Sequence, residues 1–234
     1  MTQRMIEITS PFFIPQPPTP ETDLKLAERF AKNQPLALEI GCGIGDFIVQ
    51  LAQQQPDINF LAIDIYNKGC YKTCQKLELA GLTNVRVIRA EARYLMIHHL
   101  APESLTAIYI NCPDPWPKKR HRNRRLVNRE FLQTALYYLC PGGDFYFSTD
   151  FDDYAAEVAA LLPAIEGYQN VLDSPCAHSL PDYPLSKYMR RFLQREQNIY
   201  FIHYRKDPVL PSTSLTCPTI DPGFRARWRR AENG

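Results

Sequence analysis

Leu36-Ala-Leu-Glu-Ile-Gly-Cys-Gly-Ile-Gly45, continued by Asp46-Phe-Ile-Val-Gln-Leu-Ala52, is the stretch on which the reading of this chain turns. An apolar strand runs to Ile40, glycines alternate at 41, 43 and 45, and a helix opens at Asp46. Glycines permit a sharp turn and let a ligand approach the main chain closely. The helix start offers free N–H groups to a ligand's polar end. About twenty residues on, Phe60-Leu-Ala-Ile-Asp64 ends a second strand with a carboxylate suited to ribose hydroxyls.

The glycine spacing chooses between two ligand classes. Dinucleotide loops run G-x-G-x-x-G around a pyrophosphate. Here the spacing is G-x-G-x-G, and Glu39 stands just ahead of it. With no pyrophosphate to hold, that carboxylate can face the amino end of a methionine moiety. The pattern therefore favours S-adenosylmethionine over NAD and sets an NAD-dependent oxidoreductase aside. A third strand candidate ends in Ile88-Arg-Ala-Glu91. Glu91 can accept from an adenine amino group or serve as an acid at a helix start.

Outward from this loop, strand candidates fall at 36–40, 59–64, 84–89, 105–110 and 143–148, with helical stretches at about 45–54, 67–80, 127–139 and 151–162. Strand and helix alternating at this rhythm argue a parallel sheet covered on both faces. Before them, Glu21 to Asn33 carries apolar residues at helical spacing, with Thr19 or Thr22 as a cap. After them, strand candidates 168–173 and 197–205 flank a polar, proline-bearing loop.

The 234 residues, 45% hydrophobic and 22% charged, suit one globular domain with a substantial core. No apolar run approaches the ~18 to 20 residues that span a bilayer, and the N-terminus lacks the pattern of a signal peptide. Seven cysteines are scattered without a CxxC pair, so they read as reduced thiols of a cytoplasmic protein with no structural metal. Net charge is only +2, so a polyanionic partner must be met by a local basic patch.

Such a patch follows the fourth strand. Asn111-Cys-Pro-Asp-Pro-Trp-Pro117 leaves the edge of the sheet where ligands of open α/β folds bind. Prolines 113, 115 and 117 stiffen the loop and hold Asp114 and Trp116 in fixed directions. Trp116 either stacks on a base, worth about 1–3 kcal/mol, or packs on the protein's own surface. Next comes Lys118-Lys-Arg-His-Arg-Asn-Arg-Arg125, and seven of residues 118 to 129 are Lys or Arg. That density marks contact with a nucleic-acid backbone more often than a solvated face. Arg225-Ala-Arg-Trp-Arg-Arg230 is a second basic stretch, in a tail. Asp150 ends the fifth strand in Phe147-Ser-Thr-Asp150, on the same edge as the glycine loop and Asp114.

Together these motifs resemble the tRNA (guanine-N7)-methyltransferase family in its bacterial, single-subunit form. The residues that carry the resemblance are EIGCGIG (39–45), AID (62–64), PDPWPKKRHRNRR (113–125), STD (148–150) followed by Tyr154, and GYQN (167–170). It implies an S-adenosylmethionine-dependent methyltransferase fold: a seven-stranded, mostly parallel Rossmann-like sheet with helices on both faces. It implies methyl transfer to N7 of the variable-loop guanine, position 46 in tRNA numbering, by a monomer or homodimer. Glu39, Gly41, Gly43, Gly45, Asp64 and Glu91 would bind the cofactor, and Asp114, the catalytic residue, would sit between cofactor and guanine. Lys118, Asp150, Ser186, Lys187, Tyr188 and Met189 would face the substrate, and Arg120, His121, Arg122, Arg124 and Arg125 would lie along the RNA backbone. The family's Thr-x-x-Glu appears here as Ser186-Lys-Tyr-Met189, which keeps the hydroxyl and lacks the carboxylate. The chain would divide into an N-terminal arm and helix (1–34), a methyltransferase domain (35–206) and a basic, Pro-rich tail (207–234). Two rivals stand beside this reading: a Rossmann methyltransferase of another acceptor, and an RNA-binding protein that keeps the fold without the catalysis.

Overall fold

The structure, a computed structural model, describes residues 5–16 and 19–220. The chain forms two compact units that divide between Ala101 and Pro102. The first holds β1 (Phe13–Ile14), α1 (Leu26–Arg29), β2 (Leu36–Ile40), α2 (Asp46–Gln54), β3 (Asn59–Asp64), α3 (Asn67–Leu79), β4 (Val85–Arg89) and α4 (Ala92–His99). Its four strands run parallel in the order β1-β4-β3-β2. Phe60, Leu61, Ala62 and Ile63 of β3 are all buried, which explains an apolar run without alternation: a strand inside a parallel sheet is covered on both faces.

The second unit holds β5 (Leu105–Asn111), α5 (Arg129–Tyr138), β6 (Leu139–Thr149), α6 (Asp152–Leu161), β7 (Tyr168–Asn170), α7 (Lys187–Leu193) and β8 (Tyr200–Lys206). β5 and β6 are parallel, while β8 runs antiparallel to both β6 and β7. Phe145, Phe147, Phe131, Leu132 and Tyr154 lie within its core.

The eight described strands are one more than the resemblance implies, and β1, only two residues long, has no counterpart among the strand candidates. The helix expected over 21–33 shrinks to one turn. Lys25 takes a left-handed φ of 50° at its start and Phe30 is extended at its end. The flanking carbonyls are satisfied from elsewhere: His99 Nδ1 binds the Thr22 carbonyl at 3.1 Å, and Asn59 Nδ2 donates to the Lys32 carbonyl at 2.8 Å. Tertiary partners here override a sound local periodicity. β6 reaches back to Leu139 because its pairing with β5 shifts register between Leu105 and Ala107. The basic stretch 225–230 lies outside the described residues.

Candidate functional site: a glycine-loop cradle and a basic proline-tryptophan loop

In the first unit, the glycine loop hangs on the end of β3. Gly41 and Cys42 both donate N–H bonds to the Ile63 carbonyl, at 2.8 and 3.0 Å. Asp64 then divides its carboxylate: Oδ2 accepts from the Gly43 N–H and Oδ1 from the Tyr66 N–H, each at 2.8 Å. Asp64 therefore shapes the cradle as well as standing at its rim. Gly45 has φ +81°, and a Cβ there would come within 2.9 Å of Thr73 on α3, so no larger residue fits. At Gly43, by contrast, a Cβ would meet nothing within 4 Å among the described residues, so the main chain lies open to a ligand.

Glu39 is 1% exposed, and its Oε2 has no hydrogen-bond partner among the described residues. Burial, and secondarily the Asp64 charge, push its carboxyl up to about 8. A buried carboxyl without a partner is costly unless something arrives to pair with it. The space over Gly43 and the Glu39 Oε2, without a partner among the described residues, together fit a ligand with a cationic or amino end, as the methionine moiety of the expected cofactor has. Glu91 sits at the N-cap of α4, where Oε2 accepts from the Tyr94 N–H at 3.0 Å and Oε1 meets Arg93 Nε at 3.0 Å. Its first role is thus to cap a helix. Just past Asp64, Ile65 and Tyr66 are large apolar residues left 47% and 39% exposed. Motif reasoning misses them, although apolar side chains immediately beyond a strand-end carboxylate are the available signal.

In the second unit, the loop after β5 is strained and tightly tied. Cys112 and Trp116 have φ of 45° and 44°, a region that side chains with a Cβ adopt at a cost. The Cys112 N–H donates to the Ser148 carbonyl at 2.9 Å. Burial first, then the Asp150 carboxylate, push the Cys112 thiol up to about 12, so it is no nucleophile at neutral pH. Asn111, quoted in the loop but given no role from sequence, receives the hydroxyls of Ser148 at 2.9 Å and Tyr183 at 2.8 Å on its Oδ1.

Asp114 is exposed, as are Lys118, Lys119 and Arg120, while Asp150 is half-buried at the end of β6. A 3-10 helix, Lys119–Arg124, spaces the basic run. Arg124 lies over the Trp116 ring at 5.0 Å and His121 meets that ring edge-on at 5.9 Å. Trp116 thus packs at least partly on the chain's own basic run. Arg122 Nη2 pairs with Asp153 at 2.7 Å.

Two of the expected roles need correction. Arg125 is not presented at the surface as a backbone contact requires: its side chain is fully buried, paired with Asp153 and Glu157. Met189 does not face a substrate either. It is fully buried with Ile199 and Phe201, packed against Cys112, Tyr183 and Phe192. Ser186 is the N-cap of α7, its Oγ accepting from the Met189 N–H at 3.2 Å. Ser-x-x-Met is therefore a helix-capping sequence whose last residue docks the helix on the core. Lys187 and Tyr188 remain exposed on that helix, Tyr188 at 62%.

Residues 33–202 match the family model described as "Putative methyltransferase". The tRNA (guanine-N(7)-)-methyltransferase of Syntrophotalea carbinolica is 57% identical over 234 residues, covering all of both chains. That of Geobacter metallireducens is 56% identical over 205 residues, 87% of this chain and 97% of its own. Among solved structures, the 16S rRNA methyltransferase KamB matches with a TM-score of 0.60 at 18% identity, covering 80% of this chain and 94% of that one. At that identity the likeness shows the fold alone, which is the Rossmann-like methyltransferase fold. From the glycine-loop cradle, the proline-tryptophan loop and full-length identity to a relative of that name, this chain belongs to the tRNA (guanine-N(7)-)-methyltransferase family.

Proposed function

We propose that this chain transfers a methyl group from S-adenosylmethionine to N7 of a guanine in tRNA, the variable-loop guanine at position 46. The observation that carries the reading is the end-to-end identity with a relative of that printed activity. The chemistry of the two half-sites supports it. When bound, S-adenosylmethionine supplies a methyl group made electrophilic by a sulfonium charge.

Glu39, Asp64 and the open main chain at Gly43 would hold that donor, Glu39 through the oxygen that has no partner among the described residues. Glu91 joins them through the lone pairs its capping bond leaves over. Guanine N7 carries a lone pair and no proton, so the protein needs no base to expose the nucleophile. What remains is alignment and charge: holding N7 in line and favouring a product ring that has become cationic. Asp114, exposed on a stiff loop, accepts from the guanine N–H edge and stabilises the growing positive charge. Asp150 and Lys118 complete the substrate side.

The RNA backbone is met by Lys118, Lys119, Arg120, His121 and Arg124. Lys187 on α7, with Arg191 and Arg195 exposed beside it, adds a second basic face. Pulling a paired guanine out of its stack costs a few kcal/mol, which these backbone contacts offset. The testing experiment is transfer of label from methyl-labelled S-adenosylmethionine to unmodified tRNA, with the product nucleoside mapped. N7-methylguanosine in the variable loop is the expected product. Donor binding with no label in any RNA would instead favour a protein that keeps the fold without the catalysis.

A further inference from the structure

We infer that Arg125 is a positioning residue: its buried guanidinium clamps the Pro115 carbonyl to α6 and so fixes the direction in which Asp114 projects. The inference rests on the proposed transfer, in which Asp114 acts on guanine. The Arg125 side chain, read from sequence as a phosphate ligand, is 0% exposed. Nε donates to the Pro115 carbonyl at 2.9 Å, Nη2 to Asp153 Oδ2 at 2.7 Å, and Nη1 to Glu157 Oε2. The guanidinium carbon lies 4.6 Å from the Tyr154 ring centroid and 5.8 Å from that of Phe151. Tyr154 in turn accepts the Val127 N–H on its hydroxyl at 2.8 Å. One cation thus joins three segments: the loop 113–117, the end of the basic run, and the first two turns of α6.

The loop is tied at its start by the Cys112 N–H bond to the Ser148 carbonyl, and Arg125 holds it at its far end. Prolines 113, 115 and 117 carry no N–H, so they cannot donate to a neighbour. The Pro115 carbonyl belongs to the peptide that joins Pro115 to Trp116, and Trp116 is held at a positive φ that relaxes once that peptide is free to turn. Holding that carbonyl fixes the Pro115–Trp116 peptide directly, and the Pro115 ring, whose φ is set, passes the constraint back to the Asp114–Pro115 peptide. A planar fork with five donors does this while meeting two carboxylates; an ammonium is a single point and cannot. Burial works against the guanidinium charge, and the Asp153 and Glu157 carboxylates outweigh it, so the charge is kept.

The chain has two tryptophans, so in a Trp228→Phe background Trp116 alone reports on the loop. In that background, Arg125→Lys is compared with its parent for acrylamide quenching of Trp116 without any ligand, for kcat and KM on tRNA, and for the salt dependence of tRNA binding. Quenching is expected to rise, and kcat to fall roughly 10- to 100-fold, as for a catalytic group displaced by about an ångström. The KM for tRNA and the salt slope stay near the parent's. Weaker tRNA binding with a flatter salt slope and unchanged quenching would overturn the inference in favour of a phosphate-binding role. Lower thermal stability with unchanged kcat would make Arg125 a scaffold residue only, and would also overturn it. Should Arg125→Lys fail to fold, Asp153→Asn, which keeps the shape and removes one countercharge, is read by the same measurements. If even the parent methylates no tRNA, the proposed function fails, and the quenching comparison still decides whether Arg125 tethers the loop.

Discussion

Glu39 carries a carboxyl enclosed within β2. Its carboxyl, pushed up to about 8 by burial and by Asp64, stays protonated in the folded protein where an unfolded chain would have ionised it. A raised carboxyl pKa means stability present at low pH and lost as pH rises from about 4.5 towards 8, by about 1 kcal/mol per pH unit. Urea unfolding without ligand is therefore expected to show a declining midpoint over that window, and Glu39→Gln to flatten the decline. A donor that brings positive charge beside Glu39 favours the carboxylate. Its binding near neutral pH should release up to about one proton, visible as binding heats that differ between buffers of unlike ionisation enthalpy. Asp114→Ala should lower kcat by about 10²-fold or more, on the scale of losing one preorganised electrostatic partner. Donor affinity, measured calorimetrically, should change much less. A collapse of donor affinity would make Asp114 a cofactor ligand instead.

Among elements, α7 and the basic run show how a motif divides between folding and function. α7 buries Met189 alone, and Ser186 caps it. Met189→Ala is expected to cost about 2–5 kcal/mol through the cavity it leaves, and Ser186→Ala about 1 kcal/mol, both read from thermal unfolding. Met189→Glu, which supplies the carboxylate the resemblance leads one to expect here, should destabilise as well, because that side chain occupies an apolar cluster with Ile199 and Phe201. In the basic run, replacing Lys118, Lys119, Arg120 and Arg124 with Ala should weaken tRNA binding across all tRNAs. It should also reduce the slope of log affinity against log salt by about one for each phosphate no longer neutralised. Arg125 is left out of that set because its guanidinium is spent inside the fold.

Over the whole molecule, a net charge of only +2 and a local run of seven basic residues predict RNA binding that is strongly salt-dependent in a nearly neutral protein. A small dependence, measured by filter binding, would count against the run as the RNA-facing surface. Among the described residues no helix is long and apolar enough to cross a membrane. The sequence by itself determined the strand-glycine-helix unit, the alternation of β and α, the carboxylates at strand ends and the density of basic residues. Each of these is written in local spacing: buried parallel strands need unbroken apolar runs, and a positive φ beside a close neighbour needs glycine. Only the tertiary structure decided which charged residues remain available to a partner. Arg124 and Arg125 are adjacent in sequence, yet one stacks on Trp116 at the surface and the other is enclosed by Asp153, Glu157 and Tyr154. The same holds for the helix at 21–33, whose periodicity is real and whose carbonyls are claimed by His99 and Asn59. Whether a side chain meets solvent, a neighbour or nothing depends on residues distant in the chain, and no local pattern encodes that.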